Sequence, residues 1–325
     1  MTTTKTRTHK ARSQRSSSDR DEKLTALHEQ ITAGVANLLE SGAWQAMLDT
    51  AAKFHRYSLG NQILIGLQAP TATRLAGFGT WRSLGRHVRK GEKGIAILAP
   101  CTYRATSAPH GDDNTTDTGE DEAKTTGQDT AKDGAPARQV LRGFRPAYVF
   151  DVAQTDGDPL PDLGESPVTG AVPAGLWDGL AAQVAAHGYT LTRGDCGSAE
   201  GYTHPGTRIV RISGTENDAA AVGVLAHELA HIECGHVQDL PTYRTCRGRC
   251  DIEAESIAYV VTAAHGVDTS GSTFGYVTGW AHGDPEAVRA AATTVTQTAR
   301  RILDHLNPTE DPHNEQATGD TPDRV

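Results

Sequence analysis

Between residues 218 and 236 the chain reads DAAAVGVLAHELAHIECGH, a helical run rich enough in Ala, Val and Leu to belong in a protein interior. That run also carries two histidines and a glutamate, and no other feature limits the fold as strongly. A buried helix tolerates ionisable groups only where a partner or ligand compensates their lost hydration. His227, Glu228 and His231 stand in the spacing H-E-x-x-H. At 100° per residue, His227 and His231 lie about 40° apart on one helix face, so both imidazoles can reach one ion with Glu228 beside its bound water. The expected ion is Zn²⁺, and the expected role of Glu228 is general base.

A zinc site open to substrate needs a third protein ligand and a fourth position for water. Val237 occupies the sixth position after His231, so a third histidine at that spacing is excluded. If the helix ran on, His236 would fall on its opposite face, which makes it a poor ligand. The next acidic stretch, CDIEAESIAY from Cys250, places Asp251 and Glu255 one turn apart on a shared face and directs Glu253 about 200° away. Asp251 and Glu255 therefore compete for the ligand role. Cys246 and Cys250 read as two thiols in a loop. Five cysteines, an odd number, argue against a disulfide framework.

The 325 residues suffice for two domains, but 37% hydrophobic and 5% aromatic content is lean, which predicts solvated stretches between cores. Residues 1–18 read as a disordered basic arm. Helical periodicity follows through Leu24, Leu27, Ile31, Val35 and Leu38, then Trp44, Met47, Leu48, Ala51 and Phe54, then Ile63, Leu64 and Leu67. Residues 94–103 and 146–152 read as two strands of one sheet. The insert at 105–139 has almost no large apolar residue and reads as disordered. Residues 156–172 form a Pro- and Gly-rich linker, and 307–325 a polar tail. The second half, 173–306, alternates helices and short strands, among them a strand at 208–213. The fold class is α+β, with domains at 19–155 and 173–306. No run approaches the ~20 apolar residues of a membrane helix, and no signal peptide opens the chain, so the expectation is a cytoplasmic protein without a membrane partner.

Net charge is −9, yet its distribution matters more than its sum. Residues 105–139 hold eight acids against three bases, whereas residues 74–93 hold six bases against one acid. Arg74, Arg82, Arg86, Arg89, Lys90 and Lys93 supply charge for a phosphate backbone, and Tyr57, Phe78 and Trp81 could supply faces for base stacking.

HELAH, a loop of about twenty residues and an acidic helix resemble the gluzincin-type metallopeptidase domain shared by the ImmA/IrrE family and ArdC antirestriction proteins. The resemblance implies a minimal zincin-like fold, a third ligand at the start of the acidic helix, and a polar residue one turn later. The matching positions are Asp251 and Glu255. Asp stands where Glu is usual, so Glu255 stays open as the alternative ligand, while the helix dipole also favours an acid at Asp251. The first half resembles the ArdC N-terminal single-stranded-DNA-binding domain through YSLGNQIL at 57–64, WRSLG at 81–85, VRKGEKG at 88–94 and VFDVAQT at 149–155. That likeness adds Asn61 to the candidate DNA contacts. It also suggests that the strand at 208–213 aligns a substrate backbone.

Together these features predict a zinc metallopeptidase-like hydrolase joined to a single-stranded-DNA-binding domain, acting on an unidentified protein in antirestriction or regulation within mobile elements. The competing class is a non-enzymatic DNA-binding protein whose zinc is structural. Glu228 separates the two, because a structural site has no use for a proton acceptor beside an open position.

Overall fold

The computed structural model describes residues 6–104, 139–160, 172–214, 218–238, 240–267, 281 and 283–307. Of the polar stretches expected at 105–139 and 307–325, residues 105–138 and 308–325 lie outside the described residues, as does most of the expected linker (161–171).

Three helices open the chain: α1 (Thr6–Asn37), α2 (Ser41–Lys53) and α3 (Leu59–Gln68). Residues 6–18, expected as a disordered arm, are the first turns of α1. Neither Pro nor Gly interrupts the sequence before Gly34, and Lys, Arg and Gln are good helix formers, so the helix extends backwards. The apolar period holds where expected, with Leu27, Val35, Leu38, Trp44, Met47, Leu48 and Ala51 buried. Gly34 lets α1 and α3 touch, because a Cβ there would stand 2.3 Å from Cγ2 of Ile63.

Next come β1 (Leu75–Gly77), α4 (Phe78–Ser83), β2 (Arg86–Val88), β3 (Ile95–Arg104), β4 (Gln139–Asp151) and β5 (Thr155–Gly157). The two expected strands are β3 and β4, paired antiparallel from Ile95↔Val149, in a sheet ordered β1-β4-β3. Helix α3 covers the free side of β3 with side chains that imitate a neighbouring strand. Asn61 exchanges two hydrogen bonds with Leu98, donating from Nδ2 to its carbonyl (3.0 Å) and accepting its N–H at Oδ1 (2.8 Å). Gln68, two turns on, does the same to Ala96, with 2.9 Å in each direction. Asp151 closes the other end of the sheet. Its Oδ1 accepts the N–H groups of Thr73 and Arg74, and its Oδ2 that of Ala153 in a capping box with Gln154.

The second half comprises α5 (Leu176–Ala186), β6 (Thr190–Gly194), β7 (Gly201–His204), β8 (Ile209–Ser213), α6 (Asp218–Glu233), α7 (Leu240–Ala264) and α8 (Pro285–Leu306). Its sheet is ordered β6-β8-β7, with β6 parallel and β7 antiparallel to β8. Strand β8 is central, so its backbone is paired on both sides, and β6 and β7 are the edges. Helix α7 starts eleven residues before the expected acidic helix and bends at Cys246, whose φ/ψ of −113°/18° is not helical.

Packing does not divide at residues 156–172, where the sequence suggests a domain boundary. Val35, Leu38, Trp44 and Leu48 belong to the same buried cluster as Leu225, Leu229, Ile257 and Ile302. Trp44 Nε1 donates to Ser256 Oγ (3.1 Å) and Tyr259 OH to Asp49 Oδ1 (2.7 Å), tying α2 to α7. A smaller core of Phe54, Ile65, Ile95, Ile97 and Val149 lies between α3 and the first sheet. The architecture is α+β. Among the described residues no helix is long and apolar enough to cross a membrane.

Candidate functional site

Helix α6 is held by Ala221, Leu225, Ala226, Leu229 and Ala230, all fully buried, which orients His227, Glu228 and His231 towards α7 and β7. Glu228 (8% exposed) and His231 (6%) are buried, and His227 is partly so. These side chains line a cleft of about 690 Å³ whose walls also include Thr203 of β7 and Tyr243, Arg247, Asp251 and Glu255 of α7.

The Nε2 atoms of His227 and His231 face each other at 3.0 Å. Behind His227, Nδ1 lies 3.0 Å from Glu255 Oε2, and a carboxylate accepts, so this nitrogen carries the proton and Nε2 presents a lone pair. Asp251 Oδ1 stands 3.9 Å from His231 Nε2, accepts from Tyr243 OH (2.8 Å), and its other oxygen is 3.4 Å from Arg247 Nε. Ligands bound at 2.0–2.1 Å in a tetrahedral site lie about 3.3 Å apart, a value that the imidazole and carboxylate spacings bracket. As the side chains stand, no group of three His, Cys, Asp or Glu among the described residues is arranged to hold an ion, because Asp251 is turned towards Tyr243 and Arg247. Two imidazoles and one short carboxylate beside a buried glutamate nevertheless fit a borderline divalent ion such as Zn²⁺.

Electrostatics agree with that donor set. Burial, with His227 and His236 adding to it, pushes His231 down to about 3, so its ring is neutral. At His227 burial acts downwards too, but the Glu255 hydrogen bond and the charges of Glu228, Glu255 and Asp251 outweigh it and leave the pKa raised. With Nδ1 of His227 donating to Glu255, the two facing Nε2 atoms can share one cation. Burial raises the Glu228 carboxyl against the Thr203 hydrogen bond and His227, which makes it a stronger proton acceptor. Thr203 Oγ1 donates to Glu228 Oε2 at 2.6 Å.

His236 differs from its expected position. Helix α6 ends at Glu233, and Gly235 (φ 73°) turns the chain so that His236 folds back beneath His231, with Nδ1 3.0 Å from His231 Nδ1. Helical angles do not apply past that turn. Its Nε2 meets Glu253 Oε2 at 3.1 Å.

The first half uses several expected DNA contacts internally. Asn61 is spent on Leu98. Tyr57 packs on the smaller core, edge-on to Phe54. Trp81 is 2% exposed and donates from Nε1 to the Phe150 carbonyl (2.9 Å), so it offers no open face. Arg86 ties β2 to β5 through Thr155 (2.8 Å from Nε to Oγ1) and the carbonyls of Gly157 and Asp158. Arg89 binds Glu92 (2.8 Å) and the Ala153 carbonyl (2.6 Å). Arg74 is half-buried, while Arg82, Lys90 and Lys93 are exposed. Sequence reasoning missed Phe144 (48% exposed) and Tyr148 (47%), which alternate on β4 with buried Ala147 and Val149. The period-two pattern in FRPAYVFD was their available signal. A Cβ at Gly94 would stand 2.9 Å from Tyr148 Cβ, so the segment bearing Lys93 adjoins this aromatic face.

Residues 25–140 match the N-terminal domain of anti-restriction factor ArdC. This stretch is similar to ArdC. The crystal structure of antirestriction protein ArdC from plasmid R388 in its metal-free form is 18% identical, with a TM-score of 0.45 over 77% of this chain and 85% of that one. Its Mn(II)-bound form is 19% identical, with a TM-score of 0.44 over 77% and 89%. Among curated proteins none matches.

Proposed function

We propose that this chain is an ArdC-like antirestriction protein with a zinc-dependent peptidase centre at His227, His231 and Asp251 and a surface for single-stranded DNA. The observation that carries the centre is the facing pair of imidazole Nε2 atoms with a buried, Thr203-bonded Glu228 beside them. Bound Zn²⁺ supplies Lewis acidity, polarising a peptide carbonyl and lowering the pKa of water towards ~7. Glu228 takes the proton from the attacking water and later returns it to the leaving amine. Thr203 leaves one carboxylate oxygen of Glu228 available for that proton. Glu255 orients His227 through Nδ1. Edge strand β7, rather than the expected strand at 208–213, offers unpaired backbone groups to an extended peptide, and it carries Thr203 into the same cleft.

For DNA, the observation is the exposed aromatic side chains Phe144 and Tyr148 with the Gly94 backbone beside Tyr148, and Arg82, Lys90 and Lys93 exposed on the same half. Aromatic platforms with cations alongside suit successive bases and phosphates of a single strand. The deciding experiment compares zinc content and hydrolysis of a peptide library in wild type and Glu228→Gln. The variant should keep about one Zn²⁺ and lose hydrolysis. No hydrolysis by zinc-loaded wild type would favour a non-enzymatic DNA-binding protein with a structural ion, and equal activity in the two proteins would remove Glu228 as the general base.

A further inference from the structure

Which nitrogen of His231 is bare depends on a proton held elsewhere. Glu253, 4% exposed, sits with Oε1 3.5 Å from Arg249 Nε one turn earlier on α7 and Oε2 3.1 Å from His236 Nε2. A carboxylate only accepts, so His236 donates from Nε2 to Glu253, which leaves its Nδ1 to accept from its neighbour. That neighbour is His231 Nδ1, at 3.0 Å. Two bare nitrogens would repel, so His231 Nδ1 donates, and its Nε2 is left bare towards His227.

We infer that Glu253 and His236 form a buried two-residue relay that locks His231 in the tautomer with a bare Nε2. The inference rests on the metal-centre reading above, and it assigns to both residues a positioning role. Neither touches the reacting atoms. The turn at Gly235 exists in this account to return His236 beneath its own helix. His227 reaches the same tautomer by a single link to Glu255, so the two imidazoles are oriented by carboxylates from opposite faces of α7.

Glu253→Gln tests the relay without changing volume. Arg249 donates to the Oε1 position, so it holds the amide oxygen there and turns the amide NH₂ to His236. His236 must then accept at Nε2 and donate from Nδ1, and His231 must accept at Nδ1 and carry its proton at Nε2. Nitrogen-15 NMR of the metal-free full chain reads this directly: Nδ1–H at His231 in wild type, Nε2–H in Glu253→Gln. Zinc affinity by chelator competition should fall about 10–100-fold in Glu253→Gln. His236→Gln, whose amide can accept from His231 and donate to Glu253, should stay within a few-fold of wild type, whereas His236→Leu should fall as Glu253→Gln does. The same tautomer in wild type and Glu253→Gln, or unchanged zinc affinity in both Glu253→Gln and His236→Leu, overturns the relay. A wild type that takes up no zinc refutes the metal centre instead, and the NMR comparison on metal-free protein then decides the relay alone.

Discussion

Replacing Asn61 with Leu separates the two roles open to this residue, a DNA contact or the clamp on β3. The side chain is buried and makes two hydrogen bonds with one backbone unit, Leu98 N–H to Oδ1 at 2.8 Å and Nδ2 to Leu98 O at 3.0 Å. Leu has similar volume and neither group, so the Leu98 N–H and carbonyl lose their partners beneath α3. A buried group left unsatisfied costs about 1–3 kcal/mol, and two in a partly buried setting give about 2–4 kcal/mol. Gln68→Leu removes the equivalent pair at Ala96, but Gln68 is exposed and water can replace it, which leaves about 1 kcal/mol or less. Urea unfolding of the three proteins should show Asn61→Leu with the lowest midpoint at an unchanged slope. Oligonucleotide affinity of the folded variant should stay within a few-fold of wild type. An Asn61→Leu protein as stable as wild type but defective in DNA binding would return Asn61 to the DNA surface and refute the clamp.

His227→Ala and His231→Ala should each remove bound zinc, and Asp251→Ala should weaken it more than Glu255→Ala, whose loss should be about 10–100-fold; metal analysis after dialysis ranks them, and the reverse order makes Glu255 the ligand. Tyr148→Ala should weaken single-stranded oligonucleotide binding by about 1–3 kcal/mol. Reversing Lys90 and Lys93 should flatten its log–log salt dependence by roughly 0.7 per lost phosphate contact. Unchanged binding in both would remove DNA from the proposal. Burial, opposed by Asp304 and aided by Arg56, Arg300 and His265, holds the pKa of His55 below its ordinary value, and its Nδ1 is buried with no hydrogen-bond partner among the described residues. The unfolded chain therefore takes up this proton first as pH falls, so His55 contributes stability fully above about pH 6.5 and loses it as pH drops towards the depressed value. The melting-temperature difference between pH 7.5 and 5 should shrink in His55→Leu, and an unchanged difference would show that His55 does not set the acid limb.

Periodicity made most of the fold legible. The spacing of Leu27, Val35, Leu38, Trp44 and Leu48 and the two β-prone runs define elements that the structure contains, because burial of one face leaves a period in the sequence. Strand β7 left no such trace, since four residues hold two alternations at most. Across the H-E-x-x-H helix the positions of His227, Glu228 and His231 follow from angle alone. His236 does not, because a left-handed glycine ends the angular rule one residue before it. In the first half, the stretches that carry the likeness to ArdC turn out to hold the domain together. Asp151 accepts from Thr73 N–H, Gln154 of the same stretch donates to the Lys93 carbonyl of another, and Trp81 of a third donates to the Phe150 carbonyl beside Asp151. A hydrogen-bonding side chain reads alike in sequence whether its partner is a phosphate or its own backbone.

The shared core has a consequence for every assay of the first half. Ser256 receives the Trp44 indole one residue after Glu255, so the opening helices brace the helix that carries the candidate ligands. A fragment ending near residue 160 would strip Val35, Leu38, Trp44 and Leu48 of the partners they have on α6, α7 and α8, exposing side chains that each contribute about 1.5–3 kcal/mol when buried. Loss of DNA binding in such a fragment would report its unfolding. The full chain with Glu228→Gln is the right background for the DNA measurements, because that change silences the proposed hydrolysis and leaves the braced helices intact.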